Sequence, residues 1–325
     1  MATVLVAGGA GYIGSHTCFD LFNKGHEPIV YDNLSNGHSE FVKWGPLEQG
    51  DIRDRQRLDA VLEKYKPAAI IHFAALIEVG ESVRNPRIFY ENNVAGTVAL
   101  LAAAQAAGID KLVFSSTCAT YGIPASVPID ESHPQQPINP YGHTKLMVEQ
   151  ILRDLDRYQS FRSVVLRYFN AAGADPGGEI GERHSPETHA IPLAIETALG
   201  KRAGFQVLGN DYDTRDGSCV RDFIHVSDLA DAHTRALEHL LNNGESLTLN
   251  LGTGRGTTVM EMLEAIRRIS GRDFQVGVGH RREGDSPILV ANNALAKRAI
   301  GWSPRHSLDS IVETAWRWHS QSRQH

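Results

Sequence analysis

Two groups of residues in this chain have the types and spacing to do chemistry together. Gly8, Gly11 and Gly14 form a GxxGxxG pattern directly after the apolar run "TVLVA" and before a helical stretch. A turn without side chains lets a pyrophosphate approach the backbone. The helix behind it offers N–H donors and the positive end of its dipole. Tyr141 and Lys145 in "YGHTK" stand at i and i+4, so on a helix their side chains share one face. A tyrosine of ordinary pKa (~10) is a poor base at neutral pH, and a nearby ammonium favours its phenolate. Thr117 in "SSTCATYG" offers a hydroxyl to bridge the phenol and a substrate alcohol. Together these residues predict a centre that carries hydride between a nicotinamide and an alcohol carbon.

Taken singly, each pattern has a plainer reading: a tight turn, an exposed helical pair, a capping hydroxyl. Context favours the chemical reading. Asp32 ends the next apolar run, "PIVYD", about 20 residues past the glycines, where a carboxylate would accept from both hydroxyls of an adenosine ribose and repel a 2′-phosphate. With Asn33 next and no arginine before Arg53, NAD is expected rather than NADP. Asp51 in "GDIRD" falls where an acid could meet the adenine amino group, although alone it would read as a helix cap.

These groups need a scaffold, and the element pattern supplies one. Short β-rich runs ("TVLVAG", "PIVYD", "AAIIHFAA", "KLVFSS", "SVVLRYFN") alternate with helical stretches. One of these is closed by Gly25, a long one reads "NNVAGTVALLAAAQAAG", and another runs from near Tyr141 towards Tyr158. Such alternation means βαβ crossovers and an α/β fold: a doubly wound parallel sheet of Rossmann type, covered on both faces. "SSTCATYG" then sits at the carboxyl edge of the fourth such run, where ligands bind in these sheets. After Gly173 the Gly- and Pro-rich stretch "GADPGGEIGERHSPETH" reads as a loop. The expected division is a nucleotide-binding region over 1–175 and a smaller, discontinuous mixed α/β region over 176–325, with a segment near 223–253 returning to the main sheet.

Bulk properties narrow the function. At 325 residues the chain can bury a large core, and a net charge of −6 argues against a nucleic-acid partner. Three cysteines without CxxC spacing make a disulfide framework or a structural zinc site unexpected, so no metal is predicted and a reducing compartment fits. No signal pattern opens the chain, and no apolar run approaches the ~20 residues that cross a bilayer. A cytoplasmic enzyme with no membrane partner is expected.

The chain resembles the UDP-galactose 4-epimerase family, a branch of the extended short-chain dehydrogenases. The resemblance is carried by GGAGYIGSH, Asp32–Asn33, GDIRD, HFAALIEVGES, SSTCATYG, YGHTK, RYFNAAGAD, LGNDYDTRDG, VRDFIHV and RREGD, which span nearly the whole chain. It implies that Thr117, Tyr141 and Lys145 are the catalytic trio. It further implies an NAD site formed by the three glycines with Tyr12, Ile13, Asp32, Asn33, Asn36, Asp51, Ile52, Phe73, Ala74, Ala75, Asn92, Ser115, Phe169, Tyr141 and Lys145. UDP-sugar would be held by Thr117, Asn170, His189, Ala190, the Gln206, Val207 and Leu208 run, Arg221, Arg282, Asp285 and Leu289. The arginines suit a diphosphate because guanidinium grips it through paired donors. Read without the resemblance, Arg282 and Asp285 are surface charges. The family also implies a homodimer paired through the long helices before and after "SSTCATYG", although the small apolar residues of "VALLAAAQAAG" equally suit a core face.

Several positions depart from the family pattern. Ile77 stands where some members carry a lysine near the cofactor, Thr117 replaces a commoner serine, and His189 replaces an asparagine. Leu289 is of medium size at a position whose bulk limits the sugar pocket. The implied reaction has Tyr141 take the proton from the sugar 4′-hydroxyl as hydride leaves C4′. The 4-keto sugar then turns over about its bond to the diphosphate, and hydride returns to the opposite face. A UDP-xylose/UDP-arabinose 4-epimerase shares every motif. A dehydratase would need an acid–base pair after the threonine, where Cys118 and Ala119 stand, and a non-catalytic NAD-sensing protein would not need the intact trio.

Overall fold

The computed structural model describes residues 1–281 and 286–321. Seven strands form one parallel sheet in the order Leu247–Leu251, Arg162–Tyr168, Lys111–Thr117, Ala69–His72, Thr3–Ala7, Glu27–Asp32, Leu47–Gln49. The chain starts at an interior strand, third from one edge, winds outward to that edge, and returns to wind outward to the other. The switch point therefore lies between Thr3–Ala7 and Ala69–His72, and a crevice opens beyond their carboxyl ends.

Both faces of the sheet are buried, as parallel pairing requires. Along Thr3–Ala7 the side chains alternate. Val4 and Val6 enter a core with helices Tyr12–Asn23 and Val226–Leu241, while Leu5 and Ala7 enter the opposite core with helices Arg55–Tyr65, Gly96–Ala106 and Pro140–Gln159. Leu247–Leu251 is the outermost strand on one side, paired in parallel with Arg162–Tyr168. The edge strand Leu47–Gln49 had no periodic signal, because three residues are too few to show one.

A third apolar cluster joins helices Ala190–Ala198, Val259–Ser270 and Leu308–Gln321 to Phe205–Leu208, which pairs in parallel with Val276–Gly279. Two further small sheets connect this region to the site. Asn170–Ala172 pairs with Phe223–His225, and Val220–Arg221 lies between Thr257–Thr258 and Ile288–Leu289.

One helix differs from expectation. The stretch read as continuous from Asn92 begins as a π-helical turn, Tyr90–Ala95, before the α-helix Gly96–Ala106. Within this turn, Asn93 Nδ2 donates to Leu76 O (3.0 Å) and Thr144 Oγ1 (3.2 Å), while its Oδ1 accepts from Leu76 N (2.8 Å). That buried amide ties the loop after Ala69–His72 to the helix bearing Tyr141. Wide turns of this kind are common at functional sites.

Candidate active site

The three glycines are glycine for different reasons. Gly8 has φ +83°, and a Cβ there would lie 2.6 Å from Ala74 N, in the loop after the neighbouring strand. At Gly14 a Cβ would meet Gly8 O at 2.2 Å, so this glycine lets helix Tyr12–Asn23 sit against the turn. At Gly11 a Cβ would meet only Gly8 O, at 3.3 Å. Gly11 is also the N-cap of the helix and supplies no side-chain cap, so the first N–H groups remain available. An open cradle under uncapped donors fits a pyrophosphate.

Asp32 is buried beside that cradle. Its Oδ2 accepts from Ala10 N (3.0 Å) and its Oδ1 from Leu34 N (2.8 Å). Burial pushes its pKa up, and these two bonds pull it back. The carboxylate thus braces the glycine turn while standing at a strand end. Asp51 is clasped by Arg53 (Nε–Oδ1 2.8 Å, Nη2–Oδ2 2.7 Å) and by Asn33 Nδ2 (3.0 Å), which hold it well below the carboxylate range. Arg53 is therefore engaged, which suits a cofactor without a 2′-phosphate. Asn36 is exposed four residues beyond Asp32, and buried Ile52 packs under Gly96. Ala74 and Ala75 follow the Ala69–His72 strand, Phe73 packs on His233 (4.6 Å between centroids), and Asn92 donates to Asn93 Oδ1 (3.0 Å). Tyr12 OH donates to Gly173 O (2.6 Å), fastening the glycine turn to the start of the long loop, and half-buried Ile13 packs on the first core.

Helix Pro140–Gln159 begins where it does because Asn139 Oδ1 accepts from Gly142 N (2.8 Å) and proline takes the first helical position. This sets Tyr141 in the first turn and Lys145 in the next. Thr117 ends the Lys111–Thr117 strand, where its Oγ1 accepts from Ala119 N (3.1 Å), and it lies close enough to the Tyr141 phenol to oppose the larger rise in pKa that burial causes. Lys145 is 3% exposed, and its Nζ donates to Ser115 O (2.8 Å). Burial brings its pKa down to about 7, with Glu149 opposing. The ammonium lies 6.0 Å from the Tyr141 ring centre and is directed to the strand carbonyl rather than held against the phenol. In this arrangement desolvation, more than the neighbouring lysine, sets the protonation of both groups.

On the other side of the crevice, Leu289 pairs in register with Arg221. Leu289 packs against the cluster of Tyr121, Ile129, Phe169 and Ala291, against which Cys118, the residue following Thr117, also packs. Arg221 lies near enough to the Cys118 thiol to oppose the rise in its pKa, and its Nη1 donates to Val220 O and Ser286 O (2.9 Å each). Asn170 opens its short strand, with its N–H donating to Asp222 O (3.0 Å). Ala190 starts a helix whose N-cap, His189, gives no side-chain cap, leaving N–H donors for an anion. The His189 ring is committed elsewhere, with Nδ1 2.9 Å from Glu187 Oε1 and 3.0 Å from Glu182 Oε1. Gln206, Val207 and Leu208 form the strand paired with Val276–Gly279. Arg282 and Asp285 lie outside the described residues.

Sequence reasoning missed the supports. Asn93 is one. Asp222 is another, a buried carboxylate accepting from Thr253 N (2.7 Å), Gly254 N (3.0 Å) and Ala291 N (3.1 Å). Arg167 is a third, and it did leave a signal: a charge within the otherwise apolar strand "SVVLRYF".

Comparison with known proteins agrees with this geometry. Residues 4–252 match the family model for the NAD dependent epimerase/dehydratase family. The UDP-glucose 4-epimerase of Rhizobium leguminosarum bv. trifolii is 68% identical over 323 residues, covering 99% of both chains. The crystal structure of UDP-glucose 4-epimerase from Brucella ovis in complex with NAD superposes with a TM-score of 0.96 at 51% identity, covering 98% of each chain. The UDP-glucose 4-epimerase of Stenotrophomonas maltophila, with bound NAD and formylated UDP-arabinopyranose, also gives 0.96, at 40% identity and 98% of each chain.

Proposed function

The chain belongs to the NAD dependent epimerase/dehydratase family, and from that membership we propose that it inverts C4 of a UDP-sugar, interconverting UDP-galactose and UDP-glucose. The observation that carries this reading is the juxtaposition of Tyr141 and Lys145, one turn apart on a buried helix face with Nζ 6.0 Å from the phenol ring centre, in a sheet whose Thr117 strand end and uncapped glycine turn both lie at its carboxyl edge.

NAD, when bound, supplies the two-electron oxidant for C4′ and a positive ring charge. Tyr141 accepts the proton of the 4′-hydroxyl and later returns it, and Thr117 holds that hydroxyl against the phenol. Lys145, anchored on the Ser115 carbonyl, stands on the same helix face as the phenol and is within reach of the nicotinamide ribose. Arg221 and the uncapped start of helix Ala190–Ala198 bind the diphosphate; the Gln206–Leu208 strand and Asn170 complete the UDP side. Leu289, packed against the cluster that holds Phe169, bounds the sugar pocket. Gripping the nucleotide while leaving the sugar loose lets the 4-keto intermediate present its opposite face.

This reading divides the chain into a cofactor region, 1–175 with the segment near 223–253, and a substrate region in the remainder of 176–325. The enzyme works in the cytoplasm; among the described residues, no helix is long and apolar enough to cross a membrane. It pairs as a homodimer through helices Gly96–Ala106 and Pro140–Gln159, a reading supported by Val98 and Met147, each 46% exposed on them.

Incubating the purified protein with UDP-galactose and no added nicotinamide tests the function. Formation of UDP-glucose is expected, and net NADH release or an absolute need for external NAD would overturn it. A parallel incubation with UDP-xylose separates a pentose epimerase from a hexose one.

A further inference from the structure

We propose that Glu182, His184, Glu187 and His189 form a closed binding site for one divalent transition-metal ion of the zinc class. Their donor atoms all lie within 4.8 Å of one another, although no motif of the reaction uses them as a set. His184 Nδ1 is 3.4 Å from Glu182 Oε1 and 3.6 Å from Glu187 Oε2, and His189 Nδ1 is 3.0 Å from Glu182 Oε1 and 2.9 Å from Glu187 Oε1. Four ligands at zinc–nitrogen and zinc–oxygen bond lengths stand about 3.3 Å apart along the edges of a tetrahedron; the imidazole-to-carboxylate separations are of that order, with different Glu187 oxygens meeting the two rings, and no pair of donors exceeds 4.8 Å.

Burial gives a second, independent indication. Glu182 is 3% exposed, and His184 Nδ1 is buried without a hydrogen bond. A buried imidazole nitrogen facing two carboxylates at 3.4–3.6 Å is too distant for a good hydrogen bond and well placed for a shared ion. The surroundings are those of a structural site: Trp318 Nε1 donates to Glu182 O (2.8 Å), and the Tyr12 ring stands edge-on to His184 at 6.3 Å.

Two imidazoles with two carboxylates select zinc, cobalt or nickel over calcium or magnesium, which prefer all-oxygen shells. Four protein donors leave no open position, so the ion's role is structural. All four come from one eight-residue run, Glu-x-His-x-x-Glu-x-His, in the loop between Tyr12's partner Gly173 and helix Ala190–Ala198. An ion here pins the loop that links the glycine turn to the substrate-side helix. The expectation of no metal came from cysteine spacing, a test blind to His/Glu sites.

The experiment uses untagged full-length protein, stripped with EDTA and titrated with Zn2+ by calorimetry and with Co2+ by visible absorption. The expected result is one ion per chain, tetrahedral cobalt bands, a raised thermal midpoint with Zn2+, and no effect of Mg2+ or Ca2+ at equal concentration. His184→Asn with Glu187→Gln should abolish uptake, while the distant His239→Asn should retain it. Absence of stoichiometric binding by the wild type, or equal uptake by the double variant, overturns the proposal. If the double variant fails to fold, the wild-type stoichiometry and cobalt spectrum decide alone.

Discussion

Arg167, in the strand behind the active site, places Nη2 2.5 Å from Oε2 of Glu149, on the helix that carries Tyr141 and Lys145, and both side chains are at most 4% exposed. Ser116 Oγ donates to Glu149 Oε1 (2.5 Å), and Arg167 Nη1 donates to Tyr121 OH (2.8 Å), which donates to Asn250 Oδ1 (2.7 Å). One buried ion pair thus locks the catalytic helix to three strands. Removing one partner strands the other charge, so Glu149→Gln should cost about 3–5 kcal/mol. Urea unfolding should show Glu149→Gln/Arg167→Gln to be less destabilised than the sum of the single variants. Strict additivity would mean that the pair is not coupled.

Tyr141→Phe keeps the ring and removes the only proton carrier proposed for the 4′-hydroxyl. The turnover number should fall by about 10²–10⁴ with the thermal midpoint near wild type. Thr117→Ser should retain most activity and Thr117→Ala should lose part of it. Steady-state rates on UDP-galactose, with KM and kcat separated, check the assignment, and wild-type turnover in Tyr141→Phe contradicts it.

The glycine turn separates packing from binding. Gly14→Ala puts a methyl 2.2 Å from Gly8 O and should destabilise the protein itself. Gly11→Ala meets only one atom, at 3.3 Å, and so should leave the cofactor-free protein near wild-type stability while weakening NAD retention. Thermal midpoints of stripped protein, with cofactor content by absorbance after denaturation, distinguish the two. Equal behaviour of both variants would refute the division.

Four buried histidines set an acid limit. Burial lowers His16 and His233 to about 4 and His72 and His225 to about 3, and His16 Nε2, His72 Nδ1 and His233 Nε2 make no hydrogen bond. Their folded-state pKa values lie below the unfolded ~6.5, so their stabilising contribution is complete above that pH. It is lost as pH falls through 6.5 towards 4, at about 3 kcal/mol per ring at most for a shift from 6.5 to 4. Calorimetric midpoints measured from pH 7 to 4.5 should drop steeply, and a flat profile would show that these rings take up protons without unfolding.

The chemistry and the scaffold were legible for a common reason: both depend on local spacing. Three glycines after a strand, an acid at the next strand end, and a tyrosine and lysine one turn apart each express a single element's geometry. The alternation of Val4 and Val6 with Leu5 and Ala7 gives a strand buried on both faces without further information. The three-residue edge strand and the π turn at Tyr90–Ala95 were not legible, since one is too short for periodicity and the other is a local widening of a helix whose Asn93 is bonded to backbone 17 residues away, a contact that spacing does not reveal.

By itself, then, the sequence determined the strand–helix order, the glycine turn between the first strand and helix, and the placing of Tyr141 and Lys145 on one helix face with Thr117 at a strand end, because i to i+4 and strand-end positions follow from backbone periodicity. Only the tertiary structure decided that Lys145 faces Ser115 rather than the phenol and that Arg167 is neutralised by Glu149. Each of these depends on which buried charge finds which partner, and desolvation settles that only once distant segments have packed.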